Sequence, residues 1–175
     1  MYDIHLIKNI LTDKERKKLI KDVQPLLLSG EEMQKLLPGI EYKPGKRTFA
    51  DIQLHPDFKI VQQRVVDKIN KYTKLNVGVC KSWIFLTRGK DKFWHTHPDA
   101  DWAAVYYIRT FPFFNNGTLF RHGLFEAPQN SIIIFPSHLE HSVEKNKSNE
   151  NRYSLAFNLY VRGKFGKEEY QLEIK

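Results

Sequence analysis

The first polar and apolar segments of the chain predict a short strand followed by a helix. Residues 4–7 form an apolar run of strand length. Thr12 and Glu15 have the spacing of a capping box, in which the two side chains satisfy free backbone N–H groups at the start of a helix. The helix is predicted to run to about Val23, because Pro25 cannot continue it.

A second helix is predicted from Pro56, a residue favoured in the first turn of helices. Apolar residues recur at spacings of three and four over residues 58–72, so one face of this helix can pack against a sheet. The segment between the two helices, residues 29–47, is rich in glycine, proline and charge. It is predicted to be irregular, with a short helix at residues 31–37.

From residue 77 onward, short apolar runs with a period of two predict strands, and Gly, Pro, Asn and Asp clusters separate them. The predicted strands cover residues 77–87, 103–109, 118–121, 131–135, 141–144 and 152–161. Two helices followed by many short strands predict an α+β fold, with a β-sandwich or jelly-roll core backed by the N-terminal helices.

Composition narrows the class of protein. A chain of 175 residues is expected to form one domain with a substantial core. The single cysteine, Cys80, excludes an intrachain disulfide and fits a reducing compartment. No apolar run is long enough for a membrane helix, and the N-terminus does not have the pattern of a signal peptide. We therefore expect a cytoplasmic protein with no membrane partner.

The formal net charge of +8 raises the question of an anionic partner. The basic residues are spread along the chain rather than gathered in one tract, which favours a solvated surface. A second interpretation of the charge is that it steers an anionic small molecule to the protein. A basic module that binds nucleic acid is a third, and it would show a steep dependence of affinity on salt.

The densest group of metal-binding side chains lies just before the strand predicted at 103–109. His95, His97 and Asp99 alternate there, and residues i and i+2 of an extended chain share a face. His141 follows a later strand and can return to the same point. On chemistry alone, His97, Asp99 and His141 would form the two-histidine, one-carboxylate triad of non-haem iron oxygenases. The all-imidazole set with His95 would favour zinc or copper as readily as iron.

An anion clamp is predicted further along the chain. Arg152 and Ser154 share one face of the last predicted strand, and a guanidinium beside a hydroxyl suits a carboxylate. Tyr106 and Tyr107 alternate faces, so one of them should point into the core of the sandwich. We assign Tyr106 as the candidate hydroxyl that contacts the bound acid.

Three blocks of this sequence resemble the 2-oxoglutarate- and Fe(II)-dependent dioxygenases, and in particular small oxygenases of bacteria and their phages. In order, the blocks are HTHPDADWAAVYY at residues 95–107, FPSHLEHSV at 135–143 and RYSLAFN at 152–158. Ala103 and Ala104 depart from the Ser-Gly pair that is usual in the first block. Asp99 occupies a position where relatives often have a small residue, which strengthens the claim of His95.

The resemblance implies a double-stranded β-helix at residues 76–165, with a helical support region at 1–75 and a tail at 166–175. It also implies an Fe(II) ion, 2-oxoglutarate as cosubstrate, and oxidation of a substrate C–H bond with release of succinate and CO₂. The primary substrate would be a small molecule or a peptide. A cupin-like metalloprotein that does not use 2-oxoglutarate is the alternative.

The resemblance also implies roles for individual residues. His141 would be the distal iron ligand, and Arg152 with Ser154 would bind the cosubstrate. His97 is the other expected ligand, while His95 and Asp99 compete for the third position. Asp101 is a further carboxylate within reach, or a partner that orients an imidazole.

Overall fold

The computed structural model describes residues 3–39, 45–87, 94–110, 117–143 and 151–163. In this part of the chain the helices lie in the N-terminal half, as predicted. They are α1 (Asp13–Val23), α2 (Gly30–Leu36) and α3 (Pro56–Thr73). No helix of the described residues is both long and apolar enough to cross a membrane.

Capping side chains define where α1 and α2 begin. The Thr12 hydroxyl accepts a hydrogen bond from the Glu15 backbone N–H, and the Glu15 carboxylate accepts one from the Thr12 N–H, which confirms the predicted capping box. Ser29 and Glu32 form a second box at the start of α2, one that the sequence analysis did not identify.

Among the described residues, ten strands form two antiparallel sheets. Seven of them make a large sheet in the order β1-β8-β5-β10-β4-β3-β2, and three make a small sheet in the order β7-β6-β9. The strands are β1 (His5–Lys8), β2 (Leu28–Ser29), β3 (Lys46–Arg47), β4 (Val77–Thr87), β5 (Trp102–Arg109), β6 (Gly117–Phe120), β7 (Gly123–Glu126), β8 (Ser131–Pro136), β9 (His141–Ser142) and β10 (Arg152–Val161). The two facing sheets and the N-terminal helices confirm the α+β jelly-roll prediction.

Three strands were absent from the sequence prediction. The short pieces β2 and β3 lie in the segment predicted to be irregular, and they extend the edge of the large sheet. The strand β7 pairs with β6 through a hairpin. The strand predicted at residues 141–144 is observed as β9, which covers His141–Ser142. Residue 144 lies outside the described residues.

The two faces of the large sheet bury different sets of side chains. One face, here called the helix face, packs Tyr106, Ile84 and Leu155 against apolar residues of α1 and α3. The other, here called the inner face, packs Tyr107 and Phe135 with residues of the small sheet. Strand alternation therefore assigns every second residue of β4, β5 and β10 to the space between the sheets.

Candidate metal centre and cosubstrate pocket

Three imidazoles meet at one end of the space between the sheets. A ring nitrogen of each of His95, His97 and His141 lies within 4.8 Å of the others. His141 is buried, while the other two are half-buried. The ring centroids are 4.3 Å apart for His95 and His141, and 5.0 Å apart for each pair that includes His97. Solvent therefore has partial access to the cluster, on the side of His95 and His97.

Backbone hydrogen bonds hold the two histidine-bearing segments together. His95 and His141 form an antiparallel bridge, each N–H donating to the other's carbonyl at 3.0 Å. The His97 N–H donates to the Ser137 carbonyl at 2.9 Å. The Ser137 hydroxyl in turn donates to the Ala100 carbonyl at 2.5 Å. These bonds fix the imidazole positions without using any imidazole nitrogen.

The orientation of His141 suits metal ligation. Its Nδ1 lies 2.9 Å from the Leu139 carbonyl oxygen, and a carbonyl can only accept, so Nδ1 carries the proton. With the proton on Nδ1, Nε2 carries the lone pair that can bind a cation. A backbone carbonyl that accepts from the other ring nitrogen is a usual partner of a metal-bound histidine. Nε2 lies 3.2 Å from Nε2 of His97. Two nitrogen ligands at roughly 2.1 Å from one ion, at right angles, would lie about 3 Å apart.

The carboxylates predicted near this cluster lie elsewhere. The Asp99 side chain is 72% exposed, and its carboxylate lies 3.5 Å from the Lys81 ammonium. The Asp101 carboxylate accepts a hydrogen bond from the Val161 N–H at 2.8 Å, so it ties the start of β5 to the end of β10. Of the competing third ligands, the structure brings His95 to the other two histidines and leaves Asp99 at the surface.

A charged clip connects the two histidine-bearing segments at the surface. The Arg121 guanidinium makes two hydrogen bonds to the Glu140 carboxylate, at 2.7 and 2.8 Å, and lies 4.1 Å from the centre of the Trp94 ring. Trp94 directly precedes His95, and Glu140 directly precedes His141. The clip therefore braces both segments from outside the cluster.

The predicted anion clamp lies on the inner face, at the start of β10. Arg152 is 4% exposed, and its Nη2 donates to the Gly117 carbonyl at 3.1 Å. Its Nε has no hydrogen-bond partner, and among the residues that the structure describes no carboxylate pairs with it. Burial lowers the pKa of the Arg152 guanidinium, because desolvation disfavours the charged form. A buried cation in this state fits an anionic ligand.

The prediction that Tyr106 contacts the bound acid is wrong, because Tyr106 lies on the helix face and Tyr107 on the inner face. The Tyr106 hydroxyl donates to the Asn130 side-chain oxygen at 2.9 Å, on the helix face. Tyr107 is on the inner face, where its ring centre lies 5.1 Å from the Arg152 guanidinium carbon. The reason is the register of β5, since Tyr107 is the Cα partner of Ser154. Tyr107, rather than Tyr106, therefore lies beside the clamp.

Two further buried polar side chains lie on the inner face, those of Thr87 and Asn158. Among the described residues, neither the Thr87 hydroxyl oxygen nor the Asn158 side-chain oxygen has a hydrogen-bond partner. Thr87 could not be identified from the sequence, because its position opposite Arg152 depends on the pairing of β4 with β10. Asn158 could be found, since it closes the third sequence block and shares the parity of Arg152 and Ser154.

Aromatic side chains wall the space around the imidazoles. The Trp83 ring lies 5.9 Å from the His97 ring, and the Arg47 guanidinium lies 5.5 Å from the centre of the Trp83 ring. On the other side, the Phe135 ring lies 4.7 Å from the His141 ring. Apolar walls of this kind limit water around a metal centre and strengthen electrostatic interactions inside it.

Comparisons with known proteins agree with this geometry. Residues 115–158 match a family model described as "Putative 2OG-Fe(II) oxygenase". This segment contains His141, Arg152 and Ser154, and it ends at Asn158. No curated protein sequence matches the chain.

Solved structures with the same fold are found at low sequence identity. HygX from Streptomyces hygroscopicus, crystallised with nickel and 2-oxoglutarate, superposes with a TM-score of 0.64 at 9% identity, covering 93% of this chain and 84% of HygX. A Pseudomonas putida prolyl-4-hydroxylase gives 0.63 at 14% identity, with 93% and 95% coverage. The viral collagen prolyl hydroxylase vCPH from Paramecium Bursaria Chlorella virus-1, in complex with 2OG, gives 0.60 at 13% identity, with 89% and 94% coverage.

The fold is thus the double-stranded β-helix of the 2-oxoglutarate- and Fe(II)-dependent oxygenases. The family match and the three-histidine cluster indicate an oxygenase of this non-haem iron class.

Proposed function

We propose that the protein is a hydroxylase that uses Fe(II), 2-oxoglutarate and dioxygen to convert a substrate C–H bond into C–OH, releasing succinate and CO₂. His95, His97 and His141 would hold the iron, and Arg152 with Ser154 would hold the distal carboxylate of 2-oxoglutarate. The observation that carries the proposal is an imidazole cluster at one end of the space between the sheets, together with a buried, incompletely bonded guanidinium on the inner face that borders this space.

Each residue has a defined task in this proposal. Iron supplies the redox chemistry that couples decarboxylation of the cosubstrate to oxidation of the substrate. The Leu139 carbonyl keeps the His141 proton on Nδ1, so that Nε2 faces the ion. Arg152 sets the direction of the bound acid because its fork can contact both oxygens of one carboxylate. Trp83 and Phe135 keep bulk water away from the centre.

The primary substrate is proposed to be a small molecule or a peptide. The structural relatives include prolyl hydroxylases, and HygX has also been crystallised with hygromycin B. Trp83 and Arg47 form a half-buried wall beside His97, which would suit a substrate with an apolar ring and a polar substituent.

Calorimetry on protein loaded with a redox-inert metal such as Zn(II) tests the clamp directly. Arg152→Ala should weaken 2-oxoglutarate binding by about tenfold or more, the effect of losing a charge-assisted bidentate contact, with metal affinity unchanged. Arg64→Ala is the matched control, because Arg64 pairs with Glu15 on the exposed surface. Equal affinity in wild type and Arg152→Ala would remove the clamp from the proposal.

Succinate formation with Fe(II) and 2-oxoglutarate tests the reaction class. A second candidate, a cupin-like metalloprotein without a 2-oxo acid cosubstrate, is favoured by one observation, the three neutral ligands without a carboxylate. That candidate predicts metal binding with no 2-oxoglutarate binding and no succinate. Metal analysis of the purified protein, together with the calorimetry, separates the two functions.

A further inference from the structure

Unpartnered polar atoms gather on the inner face of β4 and β10. The buried side-chain atoms without hydrogen-bond partners in the described residues belong to Arg16, His55, Thr87, Arg152 and Asn158. The last three lie on the inner face, where Thr87 and Arg152 are neighbours and Asn158 lies about 20 Å farther along β10. The first two lie on N-terminal elements. Buried polar atoms are nearly always paired in folded proteins, so the two adjacent unpaired atoms of Thr87 and Arg152 indicate a place where a ligand completes the bonding.

Thr87 and Arg152 are direct partners across the two strands. The register of β4 and β10 places their Cα atoms opposite each other, and in such a pair the two Cβ atoms are about 4.5–5.5 Å apart. Both side chains are on the inner face, because Leu86 and Tyr153, their chain neighbours, lie in the helix-face core. Thr87 is 7% exposed and Arg152 is 4% exposed. The unpaired Thr87 Oγ1 and Arg152 Nε therefore border the same buried volume.

The chemistry of the two atoms defines what can fill that volume. Nε–H is a donor only, and the threonine hydroxyl can donate as well. A carboxylate accepts through two oxygens with several lone pairs, so one carboxylate can accept from both groups at once. The Tyr107 hydroxyl is already engaged, since it shares a 2.5 Å hydrogen bond with the Thr118 hydroxyl.

We propose that Thr87 is a third binding residue for the distal carboxylate of 2-oxoglutarate, donating its hydroxyl proton to a carboxylate oxygen that Arg152 also binds. The inference rests on the proposed function, because it assigns a further contact to the same cosubstrate. The hydrogen bond from Thr87 makes the Arg152 end of the pocket selective for a 2-oxo acid that has a second, distal carboxylate. A 2-oxo acid without that group, such as pyruvate, cannot use Thr87.

Thr87→Val tests the contact, because valine has nearly the shape of threonine without the hydroxyl. In Zn(II)-loaded protein, calorimetry should show about tenfold weaker binding of 2-oxoglutarate, the effect of one hydrogen bond to a charged group. Pyruvate binding should stay within about twofold of wild type. Thr87→Ser, which keeps the hydroxyl, should retain most of the 2-oxoglutarate affinity. Thr73→Val is the matched control, since the Thr73 hydroxyl bonds to the Ile69 carbonyl in α3, far from the pocket.

Thermal unfolding of the metal-free and cosubstrate-free protein gives a second readout. Thr87→Val should unfold at a higher temperature than wild type, because the substitution removes an unpaired buried hydroxyl. A threonine with a purely structural hydrogen bond would give the opposite result. The Thr73→Val control should not be stabilised.

The outcomes separate the two levels of the proposal. Wild-type protein that binds Zn(II) but not 2-oxoglutarate would overturn the proposed function, and the role of Thr87 with it. Wild type that binds 2-oxoglutarate, with equal affinity in Thr87→Val, would overturn the role of Thr87 alone and leave water as its partner. An equal loss of pyruvate and 2-oxoglutarate binding in Thr87→Val would also overturn it, because the effect would then lie away from the distal carboxylate.

Discussion

Nε2 of His97 and Nε2 of His141 lie 3.2 Å apart, although the two residues are 44 positions apart in the chain. His141 lies on β9, whereas His97 lies in the loop before β5, so the distance depends on how these two segments are held together. The bridge between His95 and His141 and the bond from His97 to Ser137 bring the two segments together. Backbone hydrogen bonds between the two segments therefore set the relative positions of the imidazoles.

The choice of third ligand gives the first prediction. His95→Gln should raise the dissociation constant for the metal by more than about 100-fold, which exceeds the loss expected for a residue that only hydrogen-bonds to a ligand. Asp99→Asn should leave it within about twofold, because the Asp99 carboxylate is at the surface beside Lys81. Competition with a chelator of known affinity measures both values. A large loss in Asp99→Asn together with a small loss in His95→Gln would reverse the ligand assignment.

The two tyrosines of β5 give the second prediction. Tyr106→Phe should lower the free energy of unfolding by about 0.5–1.5 kcal/mol, since it removes the hydrogen bond to Asn130. The affinity for 2-oxoglutarate should not change. Tyr107→Phe should weaken 2-oxoglutarate binding, because the Tyr107 side chain packs against Arg152 and bonds to Thr118. Denaturant unfolding and calorimetry on both variants check the pair, and identical effects would contradict the opposite-face placement.

Asn158 and Asn130 give a matched third prediction. Asn158→Leu should stabilise the ligand-free protein by about 1–3 kcal/mol, because a buried, unpaired amide oxygen is replaced by an apolar group of similar size. Asn130→Leu should destabilise it, since the Asn130 side chain binds the backbone N–H and carbonyl of Leu11 and the Tyr106 hydroxyl. Urea unfolding of the two variants measures the contrast. Destabilisation by Asn158→Leu would mean that its carboxamide has a structural role.

The surface clip gives the fourth prediction. Arg121→Gln should weaken metal binding a few-fold. The substitution removes the contacts to Trp94 and Glu140, which directly precede His95 and His141, without changing either imidazole. The effect should be modest, since exposed ion pairs and cation–π contacts each contribute about 1 kcal/mol or less. Lys18→Gln is the control, because Lys18 pairs with Asp22 on α1. Chelator competition that shows the same change in both variants would exclude a specific role for the clip.

Helices, strands and candidate ligands could be predicted from the sequence more accurately than the sheet face on which a given strand residue lies. Repeating apolar residues identified α1, α3 and the long strands, because local periodicity reports directly on which face is buried. The face on which Tyr106 lies and the position of Thr87 opposite Arg152 depend on strand register, which is set by pairing between distant segments. Neither β2 nor β3 has a local signal, since two-residue strands form only when a neighbouring edge is available.

The choice between His95 and Asp99 as the third ligand could not be predicted from strand alternation either. His95, His97 and Asp99 alternate in sequence, so parity alone could not separate the candidates. What separates them is a turn after His97, where the Ala100 N–H donates to the His97 carbonyl. That turn ends the extended conformation on which the alternation argument relied, and Asp99 faces solvent as a result.

A bound metal would have a further effect on the whole chain, because its ligands come from two distant segments. An ion held by His97 and His141 would join positions 44 residues apart. The site forms only in the folded chain, so an ion that binds there stabilises the folded state by mass action. The resistance of the protein to unfolding would then rise with the concentration of free metal, a dependence that a disulfide would not give and that a chain with one cysteine cannot replace by an internal disulfide.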